Sequence, residues 1–305
     1  MILITEAMHP AGLSRLREGD VLYEPELYQN SQQLQTFLPS VEALIVRNQT
    51  RVDRTLLAAA PRLKVVGRLG VGLDNIDVTA LDEREIALVV PRGANAAAVA
   101  EYVMGVLLAY VRRFESLVQR VRTGHWERSM TTPGLRGRHL RIVGFGAAGR
   151  AVAERAQAFG LVLSVYDPFI PDGEIPIGWR AASLLDNLET VDYISLHVPE
   201  TAQTRYLINH ELLSRLKPTA VLINTARGGL VDEEALVRWI GDNPSAGAIL
   251  DVRRAEPPGL GDVLFEFERV WTTPHVAGLT DESQQAIAIW VADGVKTLLH
   301  ERQEA

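Results

Sequence analysis

The sequence predicts an α/β protein built from two doubly wound parallel sheets. Short apolar runs rich in β-branched residues alternate with helical patterns from the first residue, which is typical of βαβ units. The alternation is interrupted by one long helical stretch, roughly Asn95 to Arg122, and starts again at about Arg138. A chain of 305 residues is long enough for two such domains.

Each series of strands can be followed along the chain. The strands predicted before the long helix are MILIT, VLYE, ALIVRN, KVVGR and ALVVP, and the helices between them are HPAGLSRLRE, SQQLQTFL, DRTLLAAAP and TALDERE. The strands predicted after it are RIVGF, LVLSVYD, YISLHV, AVLINTA, AGAILDV and RVWTTP. Six is the number expected of a dinucleotide-binding sheet, and a last helix is predicted over Asp281 to Glu301.

Composition excludes several classes of function. The chain contains no cysteine, which rules out disulfides, thiolate metal sites and a cysteine nucleophile, and we predict no metal site. Its formal net charge of −7 offers no basic field for nucleic acid or for an anionic membrane. The start, MILITEAMHP, lacks the features of a signal peptide, and runs such as VMGVLLAYV are too short to span a bilayer. We therefore expect a soluble cytoplasmic protein.

The stretch GFGAAG, Gly144 to Gly149, has the spacing of a dinucleotide-binding loop. An apolar strand leads into it, a helical pattern leaves it, and the next strand ends in Asp167, 18 residues after Gly149. Gly144 would permit the tight turn, Gly146 would let the backbone approach a pyrophosphate, and Gly149 would allow close packing of helix on strand. Asp167 would accept hydrogen bonds from the ribose hydroxyls and repel a 2′-phosphate, which predicts NAD as the cofactor. The alternative is a plain βαβ turn.

Three later stretches carry residue types suited to catalysis. Arg227 follows the strand in INTARGGLVDEEAL, Asp251 and Glu256 follow the strand in ILDVRRAEPP, and His275 follows the last strand in TTPHVAGLT. Ligands bind outside the carboxyl ends of the strands in open α/β sheets. We therefore expect the arginine, the glutamate and the histidine to converge on one edge beside the cofactor.

With these motifs the sequence resembles the D-isomer-specific 2-hydroxyacid dehydrogenase family, which includes phosphoglycerate, glyoxylate and hydroxypyruvate, and D-lactate enzymes. The matching motifs are GFGAAG with Asp167, LHVPET, NTARGGLVDEEAL, DVRRAEP and PHVAG, in family order and over essentially the whole chain. The pattern is most similar to 3-phosphoglycerate dehydrogenase-like members. The resemblance implies a Rossmann NAD domain, residues 94–277, inserted into a smaller flavodoxin-like substrate domain formed by residues 1–93 and 278–305.

The resemblance also implies roles for the converging residues. His275 would exchange a proton with the substrate hydroxyl, Glu256 would orient His275, and Arg227 would bind the carboxylate and polarise the C2 oxygen. A hydride would pass between C2 and the nicotinamide, and Asp251 would hold the nicotinamide amide. The implied cofactor contacts are Val99, Gly144, Gly146, Ala147, Ala148, Gly149, Asp167, His197, Val198, Pro199, Thr204, Thr225, Ala226, Arg227, Asp251, His275 and Ala277.

Substrate contacts are implied mainly in the first domain. The stretch VGRLGVGLDNID resembles the family's substrate loop, and backbone N–H groups of Leu69, Gly70 and Val71 would form an anion nest for the carboxylate. Asn95 would lie near the nicotinamide. Arg47, Arg68 and Arg128 stand where phosphoglycerate dehydrogenases have arginines around the phosphate, with Arg128 supplied by the partner subunit of a homodimer formed through the 95–122 helix region.

Several functional alternatives stay open at this point. The three arginines favour a 2-hydroxy acid with a second anionic group, such as 3-phosphoglycerate or a sulfonate analogue. The alternatives are a broad glyoxylate/hydroxypyruvate-type reductase, in which arginines make structural salt bridges, and a non-catalytic NAD sensor. A formate dehydrogenase is disfavoured, because those members carry glutamine in place of Glu256. The stretch DVRRAEPP departs from the family, in which an aromatic residue commonly follows DV, and this position is expected near the active-site edge.

Overall fold

The computed structural model describes residues 1–16, 20–171 and 173–304. The chain divides into two compact units: unit 1 is Met1–Asn95 with Leu279–Ala305, and unit 2 is Ala96–Gly278. Within the described residues no helix is long and apolar enough to cross a membrane, and no group of histidine and acidic residues is arranged to hold a metal ion.

Unit 1 is a five-stranded parallel sheet with helices on both faces. Its strands are β1 (Ile2–Ile4), β2 (Val21–Tyr23), β3 (Ala43–Val46), β4 (Val65–Arg68) and β5 (Ala87–Val89). Its helices are α1 (Pro10–Leu16), α2 (Ser31–Phe37), α3 (Arg54–Ala59), α4 (Val78–Asp82) and α10 (Asp281–Glu304). The strand order β2-β1-β3-β4-β5 is that of flavodoxin-like sheets, and the chain reverses its direction of winding between β1 and β3.

The return of the chain to unit 1 follows from close packing on the sheet. A Cβ added to Gly67 in β4 would lie 2.7 Å from Val291 and 2.9 Å from Val295, both of which belong to α10. Glycine therefore lets α10 sit directly on the sheet, where it buries an apolar face against strands β3 to β5. The predicted helix HPAGLSRLRE is present as α1, and its last residues, Arg17 and Glu18, lie outside the described residues.

Unit 2 is a six-stranded parallel sheet with the order β11-β10-β9-β8-β6-β7. Its strands are β6 (His139–Val143), β7 (Val162–Tyr166), β8 (Tyr193–Leu196), β9 (Val221–Asn224), β10 (Gly247–Leu250) and β11 (Val270–Thr272). Its helices are α5 (Ala96–Val111), α6 (Phe114–Arg122), α7 (Ala147–Ala158), α8 (His210–Arg215) and α9 (Glu233–Asp242). A single parallel bridge from Val165 to Arg180 extends the sheet beyond β7, in the position of the third strand of a Rossmann sheet.

The two parallel sheets confirm the predicted fold class, with one correction in the connecting region. The continuous helix predicted from Asn95 to Arg122 is instead two helices, α5 and α6, because Arg113 adopts a left-handed conformation with φ of +52°. Its N–H bonds to the carbonyl of Tyr110, which ends the first helix. The buried face of α5 packs on α7 and the sheet, whereas no residue of α6 is buried.

Candidate active site

The glycine loop of unit 2 lies where the winding of its sheet reverses, between β6 and β8. Gly144 has a φ of +93°, and a Cβ there would lie 2.5 Å from the carbonyl oxygen of His197. A Cβ on Gly149 would lie 2.1 Å from the carbonyl oxygen of Gly144, so the first turn of α7 is pressed against the loop. Neither position accepts a side chain, because both are contact points of backbone on backbone.

Gly146 differs from the other two glycines of the loop. A Cβ added there would meet no atom within 4 Å, and its φ of −70° is open to any residue. Gly146 is also the N-cap of α7, and it offers no side-chain oxygen to the N–H groups of the first turn. Glycine is therefore not required by the fold at this position, and the exposed helix start is available to an anion.

Asp167 ties the glycine loop to the segment that follows β7. One carboxylate oxygen accepts a hydrogen bond from the N–H of Phe145 at 2.8 Å, and the other accepts from the N–H of Phe169 at 2.9 Å. Each oxygen keeps capacity for a further donor such as a ribose hydroxyl. The side chain that the sequence singled out is thus held beside the loop and is half-buried.

His197 follows β8 on the other side of the reversal point. Its Nε2 lies 2.9 Å from the hydroxyl of buried Ser195, and burial lowers the pKa of His197 from 6.5 to about 4. The ring is therefore neutral near pH 7 and is suited to lining a pocket. Thr204 caps the turn that begins at Pro199, because its hydroxyl donates to the Pro199 carbonyl at 2.7 Å. Val198 packs against the core of the sheet on this side.

These features fit a dinucleotide. The open space at Gly146 and the uncapped N-terminus of α7, with Ala147 and Ala148 in its first turn, suit a pyrophosphate. The hydroxyl of Thr225, after β9, is buried and has no hydrogen-bond partner in the described part of the chain. A buried polar atom of this kind is costly unless a ligand or water meets it. Ala226 donates its N–H to the side chain of Asn224, which fixes the same turn.

Three neighbouring strands bring the predicted polar residues to one edge of the sheet. The last residues of β9, β10 and β11, namely Asn224, Leu250 and Thr272, are paired in register. Arg227 comes three residues after the first of these and His275 three residues after the last. The strand register therefore places Arg227 and His275 at the same edge of the sheet, as the sequence predicted.

His275 and Glu256 form a hydrogen-bonded pair at this edge. His275 Nδ1 lies 2.8 Å from Glu256 Oε2, and Glu256 Oε1 accepts the N–H of Arg253 at 3.0 Å. His275 has a φ of +57°, a left-handed conformation that is uncommon for a residue with a side chain. With Nδ1 on the carboxylate, the ring presents Nε2 as its remaining polar atom.

Asp251 builds the turn that carries His275. Its buried carboxylate accepts hydrogen bonds from the N–H groups of Val276 and Ala277, both at 2.8 Å, and from the hydroxyl of Thr273 at 2.6 Å. That hydroxyl also lies 2.5 Å from the phenol oxygen of Tyr102. Because a carboxylate only accepts, the threonine proton points to Asp251, and the phenol must donate to the threonine. Most of the acceptor capacity of Asp251 is thus used within the protein.

Tyr102 and Thr273 were not predicted from the sequence. Burial is the largest influence on the Tyr102 phenol and raises its pKa, which keeps it protonated and able to donate. No local signal marks either residue, since the chain separates them by 171 positions. Val99 and Ala277, both predicted to contact cofactor, lie in the same buried apolar cluster beneath this turn.

The two glycines after Arg227 allow close contacts between three loops at this edge. A Cβ on Gly228 would lie 2.1 Å from the backbone carbon of Arg253, and a Cβ on Gly229 would lie 2.0 Å from the Glu200 carboxylate. The loop after β9 is thus wedged between the loops that follow β10 and β8. Arg227 itself donates from Nη1 to the carbonyl of Ala226 at 2.6 Å.

The carboxyl edge of unit 1 is organised around a residue that the sequence did not single out. Buried Glu6, just after β1, accepts four backbone N–H groups from residues 47–50 at 2.8 to 3.0 Å. The loop after β3 is therefore wound around one carboxylate, and it holds Arg47 at the edge of the sheet. Val46 and Arg68 are register partners, so both predicted arginines lie at neighbouring strand ends.

The predicted anion nest at Leu69 to Val71 needs correction. The N–H of Leu69 donates to the Val46 carbonyl, and the N–H of Gly70 donates to the Arg68 carbonyl, both at 2.8 Å. The Leu69 bond continues the ladder with β3 past the end of β4 and the Gly70 bond closes a local turn, so two of the three amides are already used. Val71 is the remaining one, exposed and with no carbonyl partner for its N–H in the described residues.

The remaining predicted residues are dispersed. Asn95 is half-buried at the end of the first segment of unit 1, whereas Arg128 is exposed in unit 2, in the stretch after α6. Arg128 therefore does not share a sheet edge with Arg47 and Arg68 within its own chain.

Comparisons with known proteins identify the family. Residues 104–277 match the NAD-binding domain of D-isomer specific 2-hydroxyacid dehydrogenases. The chain belongs to this family. It is therefore an NAD-dependent dehydrogenase that acts on the CH–OH group of 2-hydroxy acids.

Relatives of this dehydrogenase include enzymes with charged substrates. It is 42% identical over 304 residues to the (S)-sulfolactate dehydrogenase of Chromohalobacter salexigens, covering 98% of each chain. It is 39% identical to the chloroplastic D-3-phosphoglycerate dehydrogenase 2 of Arabidopsis thaliana, but spans only 47% of that longer protein. The structure of Aquifex aeolicus D-lactate dehydrogenase with NAD and lactic acid matches it with a TM-score of 0.87 at 27% identity, over 100% of this chain and 97% of that one.

Proposed function

We propose that this dehydrogenase acts on a 2-hydroxy acid that carries a second anionic group, a sulfonate as in sulfolactate or a phosphate as in 3-phosphoglycerate. The observation that carries the proposal is the pair of arginines at neighbouring strand ends in unit 1, Arg47 and Arg68. A protein with a net charge of −7 needs such local cations to hold a dianion. The match in length and sequence to a sulfolactate dehydrogenase supports the sulfonate first.

Arg47 is suited to select the second anion. Its backbone is fixed by the Glu6 carboxylate, and its side chain is partly exposed and has no acidic partner within the described residues. A cation whose backbone is held and whose side chain is uncommitted loses little entropy when it binds an anion. Arg68 has its Nη1 bonded to the Leu69 carbonyl, which orients its guanidinium.

His275 and Glu256 supply the proton chemistry in this proposal. During oxidation His275 Nε2 accepts the proton of the C2 hydroxyl, and during reduction it returns the proton to the same oxygen. Glu256 holds Nδ1 through the 2.8 Å hydrogen bond and so directs Nε2 outward. Positioned acid–base catalysis of this kind contributes about 10²- to 10⁴-fold in rate.

Arg227 completes the set as the group that binds the substrate carboxylate and polarises the C2 oxygen. Its position beside the Arg253 backbone, ensured by Gly228, keeps it in register with the acid–base pair. NAD supplies the hydride acceptor in oxidation. The N-terminus of α7 would hold the pyrophosphate, Asp167 the adenosine ribose, and the free acceptor capacity of Asp251 the nicotinamide amide.

A homodimer through the 95–122 region is part of the proposal. Helix α6 exposes about half of each of the side chains Phe114, Val118 and Val121, and exposed Trp126 follows it closely. Val118→Glu is expected to convert a dimer into a monomer in light-scattering measurements, whereas a wild-type monomer would refute this part. The cytoplasmic location stays a prediction from the sequence.

A substrate panel tests the proposal directly. We expect kcat/KM for sulfolactate or 3-phosphoglycerate with NAD to exceed that for glycerate, glycolate and lactate by about 10²-fold, since a charge-assisted contact contributes about 1.5–3 kcal/mol. Arg47→Gln should remove most of this preference through KM while leaving glycerate turnover unchanged. Arg51→Gln, an exposed neighbour, is the matched control.

Equal kcat/KM across the panel would instead indicate a broad glyoxylate/hydroxypyruvate-type reductase, and turnover of none of these acids would favour an NAD sensor.

A further inference from the structure

Arg253 stands at the point where the catalytic loops of unit 2 meet. Its backbone carbon is the close neighbour of Gly228, next to Arg227, and its N–H binds Glu256 Oε1 at 3.0 Å. Glu256 in turn binds His275. The backbone of this one residue therefore contacts both the Arg227 loop and Glu256, and Glu256 links it to His275.

The side chain of Arg253 holds this backbone segment in place through contacts on two sides. Buried within the loop, it donates from Nε and Nη2 to Glu233 at 3.0 and 3.1 Å, and from Nη2 to Asp262 at 2.6 Å. Glu233 is the first residue of α9 and also accepts the N–H of Arg254 at 3.0 Å, while Asp262 lies beyond the turn that contains Glu256. The guanidinium thus clamps the turn between a helix start and the following loop.

We infer that Arg253 is a positioning residue, which holds the Glu256–His275 pair in register with the Arg227 loop through its ion pairs with Glu233 and Asp262. The inference rests on the proposed roles of His275 and Glu256.

The ion pairs with Glu233 and Asp262 require the shape of an arginine side chain as well as its charge. A planar guanidinium forks to two carboxylates at once, which neither an ammonium nor an apolar side chain reproduces. Without the cation, Glu233 and Asp262 would face each other's charge in a partly buried setting, and the turn would move to let water reach them. Glu256 would then lose its N–H donor and its fixed distance to His275.

The experiment compares Arg253→Met and Arg253→Lys with Arg254→Met, an exposed neighbour, as the matched control. The measurements are kcat per NADH-binding site, the Kd for NADH and the solvent deuterium isotope effect on kcat. We expect Arg253→Met to lower kcat per site by about 10²-fold, the usual cost of a misplacement of about 1 Å, and to raise the isotope effect as proton transfer becomes limiting. Arg253→Lys should recover part of the loss, with Kd for NADH unchanged.

Outcomes of this experiment separate the inference from the proposed function. Wild-type kcat per site and isotope effect in both variants would overturn the inference, as would an activity loss that is accounted for by fewer NADH-binding sites. If Arg253→Met does not fold, Arg253→Lys decides between these results. The proposed roles of His275 and Glu256 are contradicted by a different result, a wild-type kcat in His275→Gln, whatever the Arg253 variants do.

Discussion

In each of the two sheets of this dehydrogenase the direction of winding reverses between two neighbouring strands, but the two reversal points are occupied differently. In unit 1 the winding reverses between β1 and β3, and the carboxylate of Glu6 occupies that point, with four backbone N–H groups directed at it. In unit 2 it reverses between β6 and β8, and Gly146 leaves open space beside an uncapped helix start. Both points attract anions, because backbone donors converge there.

This difference fits the roles that we propose for the two units. Unit 1 fills its anion site with its own carboxylate, so the point becomes rigid support for the loop that holds Arg47. Unit 2 leaves its anion site to a ligand, and the strands beyond it carry the residues proposed for catalysis.

The largest effect is expected from removing the acid–base group of unit 2. His275→Ala should lower kcat by about 10²- to 10⁴-fold, because it removes the group that we propose exchanges the hydroxyl proton. Steady-state kinetics with saturating NAD would measure this, and Kd for NADH should change little. Arg47→Gln is the comparison from unit 1, and it should act on KM. If Arg47→Gln lowered kcat as much as His275→Ala does, the proposed separation of roles between unit 1 and unit 2 would be contradicted.

Filling the open reversal point of unit 2 should have the next largest effect. Gly146→Ala adds a Cβ that meets no atom within 4 Å, so Tm should be unchanged, and the larger Gly146→Val should raise Kd for NADH about 10- to 100-fold. Fluorescence titration and thermal unfolding measure the two quantities. Gly149→Ala is the contrasting control, because its Cβ would collide with the Gly144 carbonyl and should lower Tm. Unchanged NADH affinity in Gly146→Val would contradict the assigned cofactor position.

Weakening the hydrogen bonds that Glu6 accepts at the reversal point of unit 1 should have a smaller effect. Glu6→Gln leaves two of the four N–H groups without an acceptor, at a cost of about 1–3 kcal/mol in the free energy of unfolding. We expect KM for the dianionic substrate to rise about tenfold as the Arg47 loop loosens, with Kd for NADH unaffected. Glu83→Gln, an exposed carboxylate of the same unit, is the control. An altered NADH affinity would show that the two points are not independent.

The smallest effect at neutral pH is expected for His197. Because the folded-state pKa is lowered from 6.5 to about 4, the unfolded chain binds the proton first as pH falls. The associated stability is fully present above about pH 6.5 and is lost towards pH 4, with an upper limit of about 3 kcal/mol. His197→Gln should flatten the pH dependence of unfolding in this window, and exposed His210→Gln should not. An unchanged slope in His197→Gln would contradict a buried neutral ring.

Much of this molecule follows from its sequence because the responsible signals are local. Apolar runs and helical periods locate the strands of both sheets, and the GFGAAG spacing locates the start of α7. Arg227, Glu256 and His275 were identified because strand ends in a parallel sheet share an edge. The break between α5 and α6 was missed, since the left-handed Arg113 has no local sequence signal.

Contacts between distant segments were decided only by the tertiary structure. Glu6 acquires its role from amides about forty positions away, Tyr102 from a threonine 171 positions away, and Arg253 from Glu233 and Asp262. In the predicted nest at Leu69 to Val71, the amide of Leu69 is taken by Val46 of β3 and the amide of Gly70 by the nearby Arg68 carbonyl. The sequence determined which elements and which reactive groups this dehydrogenase has. The fold decided which backbone donors remain available to a ligand, since burial requires each one to find a partner and the partners are remote in the chain.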